Sequence, residues 1–128
     1  MPFSFEALDV YKKAVAFGVS VLEMARRFPN DCTVLTEELG KAAVAVSSYI
    51  ALGGSVWNKG QKKQLFLDAR GACFRCAAIL AVTRDLGLAK ESDSDGMNEQ
   101  IEIISKMLTK LAQSTDRSEK DPYRREMA

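Results

Sequence analysis

Apolar residues in this chain recur at alternating steps of three and four, and in its first helix they do so along two lines at once. Leu8, Tyr11, Val15, Gly18, Leu22 and Ala25 form one line. Val10, Ala14, Phe17, Val21, Met24 and Phe28 form the other. Each is a heptad seam, the spacing that keeps one stripe of a helix against a neighbour. A surface helix needs only one broad stripe, so two seams imply burial against more than one neighbour. Asp9, Lys13, Ser20, Glu23 and Arg27 are left for solvent, and Pro29 ends the helix because it cannot continue one.

Three more segments carry the same period. The second helix starts after Asn30-Asp31, with Asp31, Thr33 and Thr36 as candidate N-caps and Leu35, Leu39, Ala42, Val46, Tyr49 and Gly53 as its seam. It bears no charge from Ala42 to Asn58. Such a helix needs cover on most sides, more than four helices of one 128-residue chain supply, so an oligomer is expected. Gly53-Gly54-Ser55 is expected to end or fray it, with Trp57 to Gly60 as the turn. The third helix is expected from about Gln61 to Leu86, on a seam of Leu65, Ala69, Ala72, Cys76, Ile79, Thr83 and Leu86, with Gly87 as its C′ residue. Ser92 to Gly96 reads as a turn before a fourth helix on Met97, Ile101, Ile104, Leu108 and Leu111. The expected architecture is an all-α, up-and-down antiparallel four-helix bundle over residues 1–114, followed by a flexible polar tail over 115–128.

Charge and cysteine content narrow the function. Net charge is only +1, but the distribution is uneven. From Lys41 to Arg84 there are seven positive charges against one negative, and from Asp85 to Glu102 six negative against one positive. Three cysteines, Cys32, Cys73 and Cys76, make a poor disulfide framework and fit a reducing compartment. With no basic-then-apolar leader and no long apolar span, a cytoplasmic location off the membrane is expected.

Histidine is absent, which removes the commonest general base and metal ligand. A carboxylate-plus-histidine di-iron site and any histidine-based triad go with it. Cys73-Phe74-Arg75-Cys76 has redox-motif spacing but falls mid-helix with no strand upstream, so both thiols read as small core residues. Gly53-Gly54-Ser55 with Lys59-Gly60 lacks the Gly-Lys-Ser/Thr order of a phosphate loop. No catalytic residue, metal site or cofactor is expected. Trp57, Lys59, Lys62 and Lys63 place an aromatic ring beside three positive charges at a bundle corner, where lysines can meet phosphates and the indole can stack on a base. Arg70 and Arg75 extend the basic segment. One competing reading is a solvated helix start with Trp57 tucked against the core, and another is that basic and acidic segments pair between neighbouring subunits.

Five pieces of the chain, in order, resemble the four-helix-bundle family encoded in ribosomal intervening sequences. They are Ser4-Phe5-Glu6-Ala7-Leu8-Asp9-Val10-Tyr11-Lys12-Lys13-Ala14, then Arg27-Phe28-Pro29, then Leu35-Thr36-Glu37-Glu38-Leu39-Gly40-Lys41-Ala42-Ala43. Asp68-Ala69-Arg70-Gly71 and Ile104-Ser105-Lys106-Met107-Leu108 complete the set. Three departures stand out. The family's Asn-Ile-Ala-Glu-Gly is here Tyr49-Ile50-Ala51-Leu52-Gly53, a following arginine gives way near Val56, and Ser-Leu-x-Glu becomes Ala72-Cys73-Phe74-Arg75. These changes bring the chain nearer in character to a sister group, the accessory variability proteins of diversity-generating retroelements. The resemblance implies a bacterial homopentamer, and through the sister group it implies RNA or DNA and a reverse transcriptase as partners. The leading expectation is a non-enzymatic oligomeric scaffold with a basic surface for RNA or an RNA-bound protein. The alternative is a structural or protein-binding oligomer without nucleic acid.

Overall fold

A computed structural model describes residues 2–118. Its long elements are α1 (Asp9–Ala25), α2 (Thr33–Ser55), α3 (Lys59–Asp85) and α4 (Glu91–Ser118). Single 3₁₀ turns, Ser4–Ala7 and Asn30–Cys32, precede α1 and α2. Each helix packs on the next and α4 closes against α1, so short links force neighbours antiparallel in an up-and-down bundle. The starts of α1 and α3 therefore share one end of the bundle with the finishes of α2 and α4.

The core separates the two seams of α1. Val10, Ala14, Phe17, Val21, Met24 and Phe28 are all buried. Of the other line, Gly18 and Ala25 are buried and Leu8 and Tyr11 partly so, while Val15 and Leu22 stay exposed. On α3 the seam is rotated from the expected one. Ala69, Ala72, Cys76 and Thr83 are buried as expected, but Phe66, Cys73 and Leu80 join them inward, while Leu65 and Ile79 are half-buried and Leu86 lies in solvent.

The boundaries carry physical reasons. The chain stays in a tight turn past Ala25, with Arg27 and Phe28 donating to Met24 and Ala25, before Pro29 ends it. None of the three proposed caps serves α2. Cys32 is its N-cap without a side-chain bond, and Thr33 and Thr36 instead donate to backward carbonyls. Gly53 and Gly54 do not fray the helix. A Cβ on Gly53 would come 2.6 Å from the Phe66 ring, and one on Gly54 2.8 Å from Phe5, so the pair is there for close approach. Gly87 is the C′ residue as expected, at φ 74°, and Leu88 and Gly87 donate to Thr83 and Arg84 in a Schellman motif. Ser92 to Gly96 is not a turn but the first turn and more of α4. That helix also overruns the expected bundle limit at Ser114, because Thr115 is buried against the core. The rest of the expected polar tail, residues 119–128, lies outside the described residues.

Candidate nucleic-acid interface

The link between α2 and α3 is only Val56, Trp57 and Asn58. It is held on both sides. The Val56 N–H donates to the Leu52 carbonyl at 3.1 Å. Asn58 caps α3, its Oδ1 accepting from the Gln61 N–H at 2.9 Å and its carbonyl from the Lys62 N–H at 2.9 Å. Between these anchors the Trp57 side chain is 94% exposed. At the same end the Phe3 and Phe5 rings stack with centroids 5.5 Å apart, and Phe5 meets the Tyr11 ring edge-on at 5.0 Å. Phe5 rests on Gly54, one turn before the link, and Phe3 is exposed.

The basic residues singled out from the sequence meet different fates. Lys59 is half-buried at the first position of α3. Lys62 turns back, its Nζ donating to the Gly53 carbonyl at 2.5 Å and lying 5.7 Å from the centre of the Phe66 ring. Burial lowers its pKa, and the bond satisfies a carbonyl in the last turn of α2. Lys63 pairs with Asp116 of α4 at 2.7 Å. Trp57, Lys59, Lys62 and Lys63 thus gather at one end. Arg70 and Arg75 do not join them. Arg75 lies twelve positions beyond Lys63, roughly 18 Å along the helix. Its guanidinium pairs with Glu38 of α2 at 2.6 Å, in a groove of ≈ 560 Å³ that Lys41, Tyr49 and Asp68 also line. Arg70 sits instead over the Phe74 ring, 5.2 Å from its centre. Residues the sequence reading did not single out for this site are Phe3 and Phe5. Their only signal was position, since an up-and-down bundle brings the start of the chain to the α2–α3 link.

The sequence model of the 23S rRNA-intervening sequence protein family matches residues 6–110, most of the bundle. The chain belongs to that family. No curated protein matches it. Of the residues at the three departures noted in the sequence, Ala72 and Cys73 are buried, Val56 lies in the α2–α3 link, and Tyr49, Leu52 and Arg75 reach the surface. Leu52, in place of the family's acid, is half exposed on α2. Tyr49 and Arg75 line the same α2–α3 groove, where the arginine that replaces a second acid now pairs with Glu38.

Two apolar faces remain on the outside of this family member. One spans α1 and α2. Leu22 lies over Gly40, 3.3 Å from where a Cβ would be, and the groove beside it is lined by Val44, Ala45, Ser48, Tyr49 and Leu52. Val15 and Val19 continue it along α1, both exposed. The other runs down α3 at steps of four, through Phe74, Ala78, Val82 and Leu86, all exposed.

Cys73 and Cys76 sit in the core with no exposed surface, and burial pushes each thiol up to about 12. They are free thiols, and the described residues hold no group of three or more histidine, cysteine or acidic side chains suited to a metal ion. No described helix is long and apolar enough to cross a membrane. Native protein at about pH 8 is therefore expected to react with a thiol reagent at Cys32 first, and at Cys73 and Cys76 only as fast as the bundle opens. Mass spectrometry of the labelled protein reads this directly. Immediate labelling of all three sites would contradict the buried placement.

Proposed function

We propose that the protein is a non-enzymatic, homo-oligomeric scaffold that binds RNA at the α2–α3 end of each subunit. The observation that carries the reading is the exposed apolar face of α1 and α2, Val15, Val19, Leu22, Val44 and Leu52, beside the stretch of α2 that has no charge after Lys41. The second face, on α3, is a different surface. Two unlike patches on one subunit favour head-to-tail docking, which closes into a ring rather than a two-fold dimer. Five subunits is the number that the family resemblance suggests. Subunit repetition would place the Trp57 corner, with Lys59 and Lys63, at several points around the axis. A reverse transcriptase carrying its RNA is a partner of the kind such a ring would suit, by likeness to the retroelement accessory proteins. The absence of histidine supports a binding role over catalysis.

Light scattering at micromolar concentration is expected to give a mass several times that of the 14.1 kDa chain. Val44→Glu combined with Leu52→Glu buries charge in the contact and is expected to give a folded monomer. The parent assembly should bind a random RNA at low salt and lose it steeply as salt rises, because each phosphate contact releases counterions. A monomeric parent would remove the scaffold reading. An oligomer that ignores RNA at low salt would leave a protein-binding scaffold in its place. Lys62 is a poor probe of binding, since its charge reversal also breaks the bond to Gly53. Lys63→Gln is the cleaner probe, since it removes the charge and gives up only an exposed pair with Asp116.

A further inference from the structure

We infer that the α2–α3 end is a stacking platform for unpaired bases, so that the ligand is single-stranded RNA and Trp57 is the ring a base meets. The inference rests on the RNA-binding reading above and names its ligand and contact. Trp57 is the chain's only tryptophan, and it is the most exposed large apolar side chain described. Its exposure is not that of a loose loop. The link has three residues, Val56 is tied to Leu52, and Asn58 is committed through both its side chain and its carbonyl. The backbone on each side of the indole is extended, with ψ of 151° at Val56 and 122° at Asn58, which projects the intervening side chain away from both helices. With the backbone beneath the ring fixed on both sides, only the side-chain torsions of the indole are left to order when a planar partner arrives.

A second aromatic surface shares this end. Phe3 lies nearly parallel to Phe5, at 10° between planes, and Phe3 keeps more than half its surface in solvent. Gly54 makes this possible, because a side chain there would collide with Phe5. Cations for phosphates are at hand. Lys59, Lys62 and Lys63 stand at this end beside the acids Glu6, Asp9 and Asp116, while the acidic run of the chain lies at the start of α4, on the opposite end. The Lys63–Asp116 pair is exposed on both sides, so a phosphate can compete for the ammonium at little cost. Rings interleaved with lysines are what single strands use, bases on the π-faces and phosphates on the charges. A duplex hides its base faces and can meet only the lysines.

Because Trp57 is the sole indole, its emission reports on this site alone. Adding a short oligouridine to the assembled protein at low salt is expected to quench that emission, in step with the anisotropy of the same labelled RNA. An RNA duplex of equal length should bind more weakly and leave the emission unchanged. Trp57→Ala should weaken oligouridine binding about tenfold, with Trp57→Phe recovering most of the loss. Circular dichroism and oligomer mass of both variants should match the parent, since the side chain touches solvent. If oligouridine binds in a salt-sensitive way while emission and the Trp57→Ala affinity stay unchanged, stacking is wrong and the RNA-binding reading stands. If neither RNA binds at low salt, both fall. Shielding of Trp57 from iodide in the RNA-free assembly would make the ring a contact between copies and overturn the platform, as would quenching by an acidic peptide but not by RNA.

Discussion

Phe17→Ala is expected to cost about 3–5 kcal/mol of folding free energy, a large share of the roughly 5–15 kcal/mol that holds a domain of this size together. Phe17 is the largest side chain in the fully buried set, with no surface left to water. Its removal forfeits the transfer of the ring and leaves a cavity that rigid helices close only in part. Leu22→Ala, five positions on along the same helix, should cost far less, because Leu22 keeps 40% of its surface exposed. Urea unfolding of all three in the monomeric Val44→Glu, Leu52→Glu background measures the difference, because Leu22 lies in the proposed subunit contact and assembly adds to apparent stability. Equal losses for the two would mean that the seams of α1 are not divided between core and surface as described.

The protein is also expected to lose stability steeply above pH 9, through Cys73 and Cys76. Burial holds both thiols at about 12 in the folded state against 9.0 for a free thiol. For Cys76 the charge on Cys73 adds to this and that on Arg75 subtracts. A raised acid pKa means that the folded state keeps its protons while the unfolded chain releases them. The stabilisation is therefore complete below the unfolded value and falls as pH climbs toward the folded one. Each thiol contributes about 1.4 kcal/mol of loss per pH unit across that window. Urea midpoints at about pH 8 and about pH 10.5 should differ accordingly. Cys73→Ala with Cys76→Ala should flatten the fall, leaving the part due to Cys32, whose pKa desolvation and Asp31 also raise, in both proteins. An unchanged slope in the double variant would show that the thiols are not the cause.

The alternation of threes and fours was enough to establish four helices, their order and the antiparallel bundle, because helix period and short links leave little topological choice. It also located the one break that Pro29 enforces and the C-cap at Gly87, since both depend on local backbone rules alone. Assignment of the two thiols to the core followed from their mid-helix position. What period could not decide was rotation. On α1 both seams satisfy the same spacing, and only packing chose the line through Phe17 for the core. On α3 the small residues allow a seam through Leu65 and Ile79 as well as one through Phe66 and Leu80, until the Phe66 ring settles on bare Gly53.

The candidate site divides in the same way. Its place at the α2–α3 corner was legible, because a tryptophan and three lysines crowd around a link too short to be buried. The state of each side chain was not, because it depends on partners remote in sequence. Lys63 meets Asp116 from the last helix, and Arg75 meets Glu38 from the second. Phe3 and Phe5 reach the corner only because the first segment folds back over Gly54. Local sequence determined which helices form and the two stops made by Pro29 and Gly87. The tertiary structure alone decided which face of each helix is turned inward and which charges are already spent, because both follow from distances between residues that the chain order keeps far apart.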